Sequence, residues 1–365
     1  MTNPPTFGVE EEFLLVDPVS GAPVARSRAV AERAAEHGVD LQLELTSCQV
    51  ETATDVFTDV AGLREQLVGL RRTAANAAER SRAQLLAVGL PPTLPREFPI
   101  TDTPRYRDIG QRYGMIAHEQ GICGCHVHVA VPDRDAAIGV SNRMRPWLPL
   151  LLALTANSAI YRNTDTGHAS WRSVLWARWP SAGPPPVFDS AAEYDAAVQM
   201  LCSTGVMRDD GMVYWDVRPS ANFPTVEVRV SDVPATVAET VLFAALVRGC
   251  VMTALEDHQR GAEMLPLAPY ALKAAYWKGA RDGRDGDAVD LEHDTARPAL
   301  ELLEGLVERV RPALEAAGDH QLVTTGLAKV AERGNGAMRQ QRAGARRRDL
   351  GDVLAEAAAA TLETS

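Results

Sequence analysis

Carboxylate and imidazole side chains recur at short spacings in four stretches of this sequence. Apolar residues alternate with polar ones in each stretch, which predicts strands, and strand side chains point to opposite faces in turn. Each strand would therefore present one apolar face for a core and one face able to bind cations. The candidate residues on the polar faces are Glu10, Glu12, Glu44, Glu51, His126, His128, Glu227 and Arg229.

Crowded acids favour a bound cation. Two carboxylates about 4 Å apart repel by roughly 4 kcal/mol at an effective dielectric of about 20, so several on one surface would protonate, separate or bind metal. Carboxylates with one or two imidazoles suit Mg²⁺ or Mn²⁺, whereas Zn²⁺ prefers histidine and thiolate. Cys123 and Cys125 alternate with the two histidines and would face the core, which disfavours zinc. Alternation predicts only the faces, and a shared site further requires that these faces converge in space.

The same residues also have structural interpretations. An acidic strand face is often simply solvated, and an acid and an arginine on one strand face could form a surface ion pair of little energetic value. Glu11 would place a charge on the apolar face and requires a partner such as an arginine. Glu44 and Glu51 would face opposite ways on one unbroken strand, so a shared site requires a turn or bulge near Ser47.

Composition restricts the class of protein. The chain has 365 residues, 46% hydrophobic and 23% charged, which is typical of a soluble enzyme. Its net charge of −11 argues against nucleic acid or an anionic membrane as a partner. We predict no secretory signal in residues 1–7 and no membrane-spanning run of about 18 apolar residues. Five unevenly spaced cysteines favour a reduced, cytoplasmic setting.

The chain shows no linker that separates two halves. We predict one catalytic domain over 1–365, with a core of sheet and helices over about 6–258 and a helical part over 259–365. Polarised strand faces favour an α+β fold with an antiparallel or mixed sheet whose polar face is open. The patterns further predict a proline-rich loop (91–104), a buried helix (143–160), an alternating strand (212–218) and a polar, mobile loop (281–290).

Four ordered motifs, E-x-E, E-x6-E, G-x-H-x-H and E-x-R, resemble the metal-site succession of the glutamine synthetase and glutamate–cysteine ligase superfamily. The closest likeness is to the YbdK-like carboxylate–amine ligases, the glutamate–cysteine ligase type 2 family. It rests on GVEEEFLLVD and GCHVHVAV, and on the segments 148–172 and 214–233. The likeness covers about residues 6–255 and continues more faintly to the end.

This resemblance implies a saddle-shaped, mainly antiparallel sheet with helices on its convex face, like the catalytic domain of glutamine synthetase. Its concave face would hold ATP with two or three Mg²⁺, for which Mn²⁺ could substitute. One metal would bind to three glutamates, and the metals that bridge the ATP phosphates would bind to a second group. The two implied groups are Glu12, Glu44 and Glu51, and Glu10, His126 and Glu227.

The resemblance also implies roles for residues around the metals. Arg229 would contact the transferring phosphate, and His128 would lie behind the metal ligands or touch the substrate. Arg172 is the best candidate for holding a substrate carboxylate. Arg218 and Asp216 would lie beside the nucleotide. One segment departs from the family pattern, because GLPPTLP (89–95) lacks the histidine that relatives often carry after the strand near Val88.

The implied reaction is ATP-dependent amide-bond formation through an acyl phosphate, with L-glutamate and L-cysteine as the expected pair and weak activity common in the family. Its partners would be small molecules, an amino-acid carboxylate and an amine, and the sequence leaves a homo-oligomer open. Phosphate-binding loops and nucleophile elbows are missing from the sequence, so metals and arginines would have to hold the phosphates. Two alternatives remain: a metal-dependent hydrolase of amides, and a catalytically silent nucleotide-binding protein.

Overall fold

The structure is a computed structural model that describes residues 4–94 and 98–364. Three segments discussed above lie partly outside the described residues. They are the N-terminal stretch 1–7, the segment 89–95 and the predicted loop 91–104. The strands of the described chain, in order, are β1 (Phe7–Val16), β2 (Gln42–Leu43), β3 (Gln49–Ala53), β4 (Gln84–Leu86), β5 (Gly124–Ala130), β6 (Ile160–Tyr161), β7 (Thr164–Asp165), β8 (Val217–Pro219), β9 (Thr225–Asp232), β10 (Asp287–Asp290) and β11 (Thr295–Pro298).

Seven of these strands form the main sheet. Its order is β2-β3-β1-β5-β9-β8, with β4 paired to the far end of β1, and every pair is antiparallel. Two small hairpins, β6–β7 and β10–β11, lie outside it. The long first strand is central because it pairs with three neighbours.

Helices surround the sheet and supply most of the apolar core. They are α1 (Ser27–Ala35), α2 (Val60–Arg80), α3 (Pro104–Tyr113), α4 (Met115–His118), α5 (Arg134–Met144), α6 (Leu148–Thr155), α7 (Trp171–Trp176), α8 (Ala191–Ser203), α9 (Val237–Gln259), α10 (Pro269–Asp282), α11 (Ala299–Arg309), α12 (Arg311–Ala317), α13 (His320–Arg333), α14 (Gly336–Arg347) and α15 (Leu350–Thr361).

The core lies against the apolar face of the sheet, as the alternation predicts. Val127 and Val129 of β5 and Val228 of β9 are fully buried and share one cluster with α2, α5, α6, α9 and the helices α10–α13. Because successive strand residues alternate, this packing directs the histidines of β5 and Glu227 of β9 to the other face. The core therefore determines which face carries the acids.

The central helix α9 begins at a capping box, in which Thr236 and Glu239 satisfy each other's backbone N–H groups. By length and composition this helix could cross a membrane, but 83% of its most apolar window is buried inside the protein. A helix in the core of a globular fold has this property.

Two predicted elements are shorter than expected. The predicted helix 143–160 is wrong: α5 ends at Met144, and α6 begins at Leu148 with Pro149 in its first turn and ends at Thr155. The alternating stretch 212–218 forms a strand only over Val217–Pro219 and begins with a 3₁₀ turn at Asp210–Met212. Alternation alone did not reveal that this segment pairs with β9 only at its end.

The prediction that residues 281–290 form a loop is also wrong, because most of the segment has regular secondary structure. Helix α10 continues to Asp282, a 3₁₀ turn follows, and Asp287–Asp290 pairs with β11. Arg284 is buried although the segment is highly polar, and it donates to the Ala331 carbonyl. The polar composition of the segment was a poor guide to its structure, because its charged residues form ion pairs and part of it forms a hairpin.

Candidate active site

The first strand places two acids beside ligands on both neighbouring strands. Glu10 pairs in register with His126 of β5, and Glu12 pairs with Glu51 of β3. The Nδ1 atom of His126 lies 3.1 Å from a Glu10 carboxylate oxygen. A Glu12 oxygen accepts a hydrogen bond from the Gly124 backbone N–H at 2.5 Å. The E-x-E motif therefore faces both the second acid pair and the histidines.

Strand β9 adds an acid and two arginines. Glu227 stands opposite His128 of β5 on one side and opposite Arg218 of β8 on the other. Arg218 Nε donates to Glu227 at 2.8 Å, and Arg229 Nη1 donates to the same carboxylate. The register shifts between β5 and β9 near His126, so a bulge lies where Arg229 approaches the Nδ1 atom of that histidine at 3.2 Å.

A hairpin brings together Glu44 and Glu51, which are seven positions apart in the sequence. Strands β2 and β3 are antiparallel, and the chain turns at Ser47 between them. Glu44 follows β2, and its neighbour across the turn is Glu51 of β3. The turn required by the spacing of these two glutamates is thus confirmed.

The polar faces do converge. Three sets of ligand atoms each lie within 4.8 Å of one another. The first matches the predicted triad of glutamates, whereas Glu10 and Glu227 are grouped with His128 rather than with His126. The sets are Glu12, Glu44 and Glu51; Glu10, His128 and Glu227; and Glu10, Glu51 and His126.

Two of these acids are not fully compensated by neighbouring positive charge. Burial and the Glu12 carboxylate raise the pKa of Glu44 to about 7. Burial, with Glu44 and Glu10 beside it, raises the pKa of Glu51 well above its usual range. Placing a cation among these carboxylates would remove this cost.

The other acids are compensated by neighbouring cations and imidazoles. Burial raises the pKa of Glu227, but Arg229 and Arg218 outweigh it and hold that pKa well below its usual value. Burial acts in the same direction on Glu10 and is outweighed by hydrogen bonds from the two histidines, so its pKa is also lowered. Burial, reinforced by Arg229, lowers the pKa of His126 and favours the neutral imidazole that binds metals.

The donor set fits a hard divalent cation. Carboxylate oxygens dominate all three groups, each group has at most one imidazole, and no thiol takes part. Mg²⁺ and Mn²⁺ prefer these ligands. Cys123 and Cys125 are fully buried in the two apolar clusters of the sheet, so the expectation that they are core residues is confirmed.

Arg172 enters the site from helix α7. It packs so closely on Gly124 that a Cβ there would lie 2.4 Å from its Nη2 atom. Its charge faces Asp232 at 3.8 Å, and that carboxylate also accepts from Ser158 and Ser170 at 2.7 and 2.8 Å. The segments 148–172 and 214–233 thus meet at one buried aspartate that positions the arginine.

One cavity of about 280 Å³ joins the predicted residues. Of the eleven site residues taken from the sequence, ten line it, and Asp216 does not. Asp216 is buried, its backbone carbonyl accepts from Arg229 N–H at 2.7 Å, and its carboxyl lies near the Tyr276 hydroxyl. Direct contact between Asp216 and a nucleotide in this cavity is not supported by the geometry.

The sequence did not reveal the residues that form the rest of the cavity wall. It is aromatic and basic, and its members come from helices and loops far apart in the chain, so no local period marks them. Alternation placed Tyr214 on the same face as Arg218, which was the one available signal. The missed residues include Arg105, Tyr106, Gln120, Trp176, Tyr214 and Phe223.

Solved ligases share this fold. The glutamate–cysteine ligase of Francisella tularensis, determined in complex with AMP, superposes with a TM-score of 0.73 at 13% identity, covering 100% of this chain and 89% of that one. A bifunctional glutathione synthetase from Pasteurella multocida gives 0.65 at 15% identity, with 98% of this chain and 52% of the other covered. The predicted α+β class with an antiparallel sheet is thereby confirmed.

Sequence comparison identifies the family. The model of glutamate–cysteine ligase family 2 matches residues 6–357. A Mycolicibacterium vanbaalenii protein provisionally named glutamate–cysteine ligase 2-2 is 79% identical over 363 residues, with 100% of both chains covered. A provisionally named ligase 2-3 of Mycolicibacterium smegmatis is 68% identical over 99% of this chain and 100% of its own. The chain belongs to glutamate–cysteine ligase family 2, so the resemblance seen in the sequence is confirmed and the chain is an enzyme of the ligase class.

Proposed function

We propose that this enzyme joins the γ-carboxylate of L-glutamate to the amino group of L-cysteine, with ATP as the phosphoryl donor and Mg²⁺ as the metal. The observation that carries the proposal is the convergence on one cavity of three groups of acids and imidazoles that could hold metal ions, with Arg229 and Arg172 among the arginines of the cavity wall. The five cysteines are free thiols, which supports a reducing, cytoplasmic location.

The acids would hold the metals in the three groups defined above. Bound there, Mg²⁺ would neutralise the phosphate charges and polarise the transferring phosphoryl group. The raised pKa values of Glu44 and Glu51 support this assignment, because these acids are destabilised as anions without a cation. His128 is held by Thr225, whose hydroxyl lies 3.1 Å from its Nδ1 atom, so its Nε2 atom points to Glu10 at 3.4 Å.

Arginines would position the two reacting groups. Arg229 has an Nε atom with no hydrogen-bond partner among the described residues, although the side chain is largely buried. A guanidinium fixed in this way can stabilise charge on a phosphoryl group without reorganising. Arg172 likewise has an unpartnered Nε atom within the described chain, and it would hold the carboxylate of the amino acid.

The chemistry needs no enzyme nucleophile. A carboxylate oxygen of glutamate attacks the γ-phosphorus of ATP, the bond to the β–γ bridging oxygen breaks, and ADP leaves with that electron pair. The amine nitrogen then attacks the acyl carbon, inorganic phosphate departs with the former carboxylate oxygen, and the nitrogen gives its proton to a base. Positioning and charge neutralisation therefore supply the catalysis.

The proposal is tested by ADP release. Wild-type protein with Mg²⁺, ATP and L-glutamate should form ADP at a rate that rises when L-cysteine, or another amine of a panel, is added. Glu227→Ala should abolish this release, because it removes a metal ligand and the partner of two arginines. A chelator should do the same, and Glu308→Ala on the surface of α11 is the matched control that should retain full activity.

The outcomes separate the alternatives. Amide hydrolysis without ATP would identify a metal-dependent hydrolase, and nucleotide binding without ADP release under any pairing would identify a silent binding protein. Either result would contradict the proposed ligase.

A further inference from the structure

A large aromatic side chain is exposed at the mouth of the cavity. Phe223 lies at the tip of the β8–β9 hairpin and is 61% exposed. Among the large apolar side chains that are strongly exposed in residues 4–94 and 98–364, it is the one that lines the cavity. Single exposed apolar side chains are common on protein surfaces, so the position of this ring on the cavity wall, and not its exposure alone, makes it a candidate for ligand contact.

The hairpin tip is held in place although it is exposed. Thr225 N–H donates to the Phe223 carbonyl at 2.8 Å, and Val131 N–H donates to the Pro224 carbonyl at 3.0 Å. The proline that follows also restricts the backbone of Phe223. Its ring meets His128 at right angles with centroids 6.2 Å apart, and no other ring contact involves it in the described part of the chain. The backbone of the tip is therefore held, while the Phe223 ring stays accessible to a planar ligand.

Positions along strand β5 show how Arg172 and Phe223 are arranged in the cavity. Arg172 packs on Gly124 at the start of the strand, whereas Phe223 contacts His128 four residues later. At about 3.3 Å per strand residue, these points are roughly 13 Å apart, with His126 and its acids between them. The end at Arg172 and the aromatic end thus lie on opposite sides of His126, and the group formed by Glu10, His128 and Glu227 lies next to the aromatic end.

Phosphoryl transfer makes this order informative. The attacking and leaving oxygens are roughly in line through the transferred phosphorus, so the acceptor and the departing nucleotide lie on opposite sides of it. With the amino acid at Arg172, the nucleoside must lie toward His128 and Phe223. We propose that Phe223 stacks on the adenine of ATP; this assignment rests on the proposed function and adds the nucleobase-binding residue to that site.

Calorimetric titration tests the stacking role. Wild type, Phe223→Ala and Phe223→Trp are titrated, each with Mg²⁺, with a non-hydrolysable ATP analogue and separately with inorganic tripolyphosphate, which lacks a base. Base–aromatic stacking predicts that Phe223→Ala weakens binding of the analogue about tenfold and leaves tripolyphosphate unchanged. Phe223→Trp should retain wild-type affinity. Tyr270→Ala, which removes an exposed ring outside the cavity, is the control and should change neither affinity.

Three results would overturn the inference. Unchanged analogue affinity in Phe223→Ala would show that the ring does not contact the base. An equal loss for analogue and tripolyphosphate would show that the tip acts on the phosphates instead. Wild-type protein that binds neither ligand and forms no ADP would overturn the proposed function together with the inference. If wild-type protein does release ADP, either of the first two results would overturn the inference alone.

Discussion

Asp216 shows how a buried acid next to the site can be destabilising without being a ligand. It is almost fully buried, and its carboxyl lies near the Tyr276 hydroxyl, with the charges of Arg172 and Arg229 nearby. Burial raises its pKa to about 6, and Tyr276 and the two arginines reduce this shift only partly. An acid whose folded-state pKa exceeds its unfolded value of 3.8 lowers stability as pH rises between the two values.

We therefore predict that Asp216→Asn stabilises the protein in a pH-dependent way. The folded wild type binds more protons than the unfolded chain between pH 3.8 and about 6, so its free energy of unfolding falls through that window. Asparagine has no such titration. Relative to wild type, the variant should gain roughly 1 to 1.5 kcal/mol more at pH 8 than at pH 5, from urea unfolding in chelator. Asp189→Asn on the surface is the control, and a gain that does not depend on pH would contradict the prediction.

One ion pair joins four elements of the fold. Arg71 of α2 donates to both oxygens of Glu11 on β1, and the pair is essentially inaccessible to solvent. The same guanidinium donates to the carbonyls of Pro234 and Ala235 before α9 and of Thr361 at the end of α15. The arginine partner that Glu11 required is thus confirmed, and it connects the sheet to three helices.

Removing one member of this pair should be costly. Arg71→Met leaves a buried carboxylate without its partner, and we predict a loss of about 3 to 5 kcal/mol in the free energy of unfolding. Glu11→Leu combined with Arg71→Met should recover part of that loss, because no charge then remains buried. The loss and the recovery are measured by urea unfolding. Additive losses in the double variant would contradict this reasoning, and Arg311→Ala in the exposed pair with Glu315 should cost less than about 1 kcal/mol.

The alternation of polar and apolar residues predicted the strands that carry the candidate site residues. The limits of this signal explain the elements that were predicted wrongly. Strands β1, β5 and β9 each have one apolar and one polar face. The alternation of period two therefore located these strands and identified the side chains that face the cavity. The predicted strand over 212–218 failed because pairing with β9 begins only at Val217. The predicted loop over 281–290 failed because the composition of the segment does not reveal that Asp287–Asp290 has a partner strand.

Convergence of distant segments could be predicted from the sequence only through the family resemblance. The order of E-x-E, E-x6-E, H-x-H and E-x-R implied one site, and the sheet order β3-β1-β5-β9 brings these strands side by side. The opposite wall, with Trp176 and Tyr214, depends on how helices and loops pack over the sheet. No spacing in the sequence encodes that packing, so those residues appeared only in the structure.

Transfer of oxygen from substrate to phosphate tests the proposed reaction most directly. The enzyme is incubated with ATP, Mg²⁺, an amine and L-glutamate labelled with oxygen-18 in its γ-carboxylate, and the inorganic phosphate released is analysed by mass spectrometry. An acyl-phosphate intermediate predicts one labelled oxygen in each phosphate, because the carboxylate oxygen that attacks phosphorus leaves with it. Release of unlabelled phosphate would show that water, and not the carboxylate, attacks ATP, and would contradict the assignment of this cavity as a carboxylate–amine ligase site.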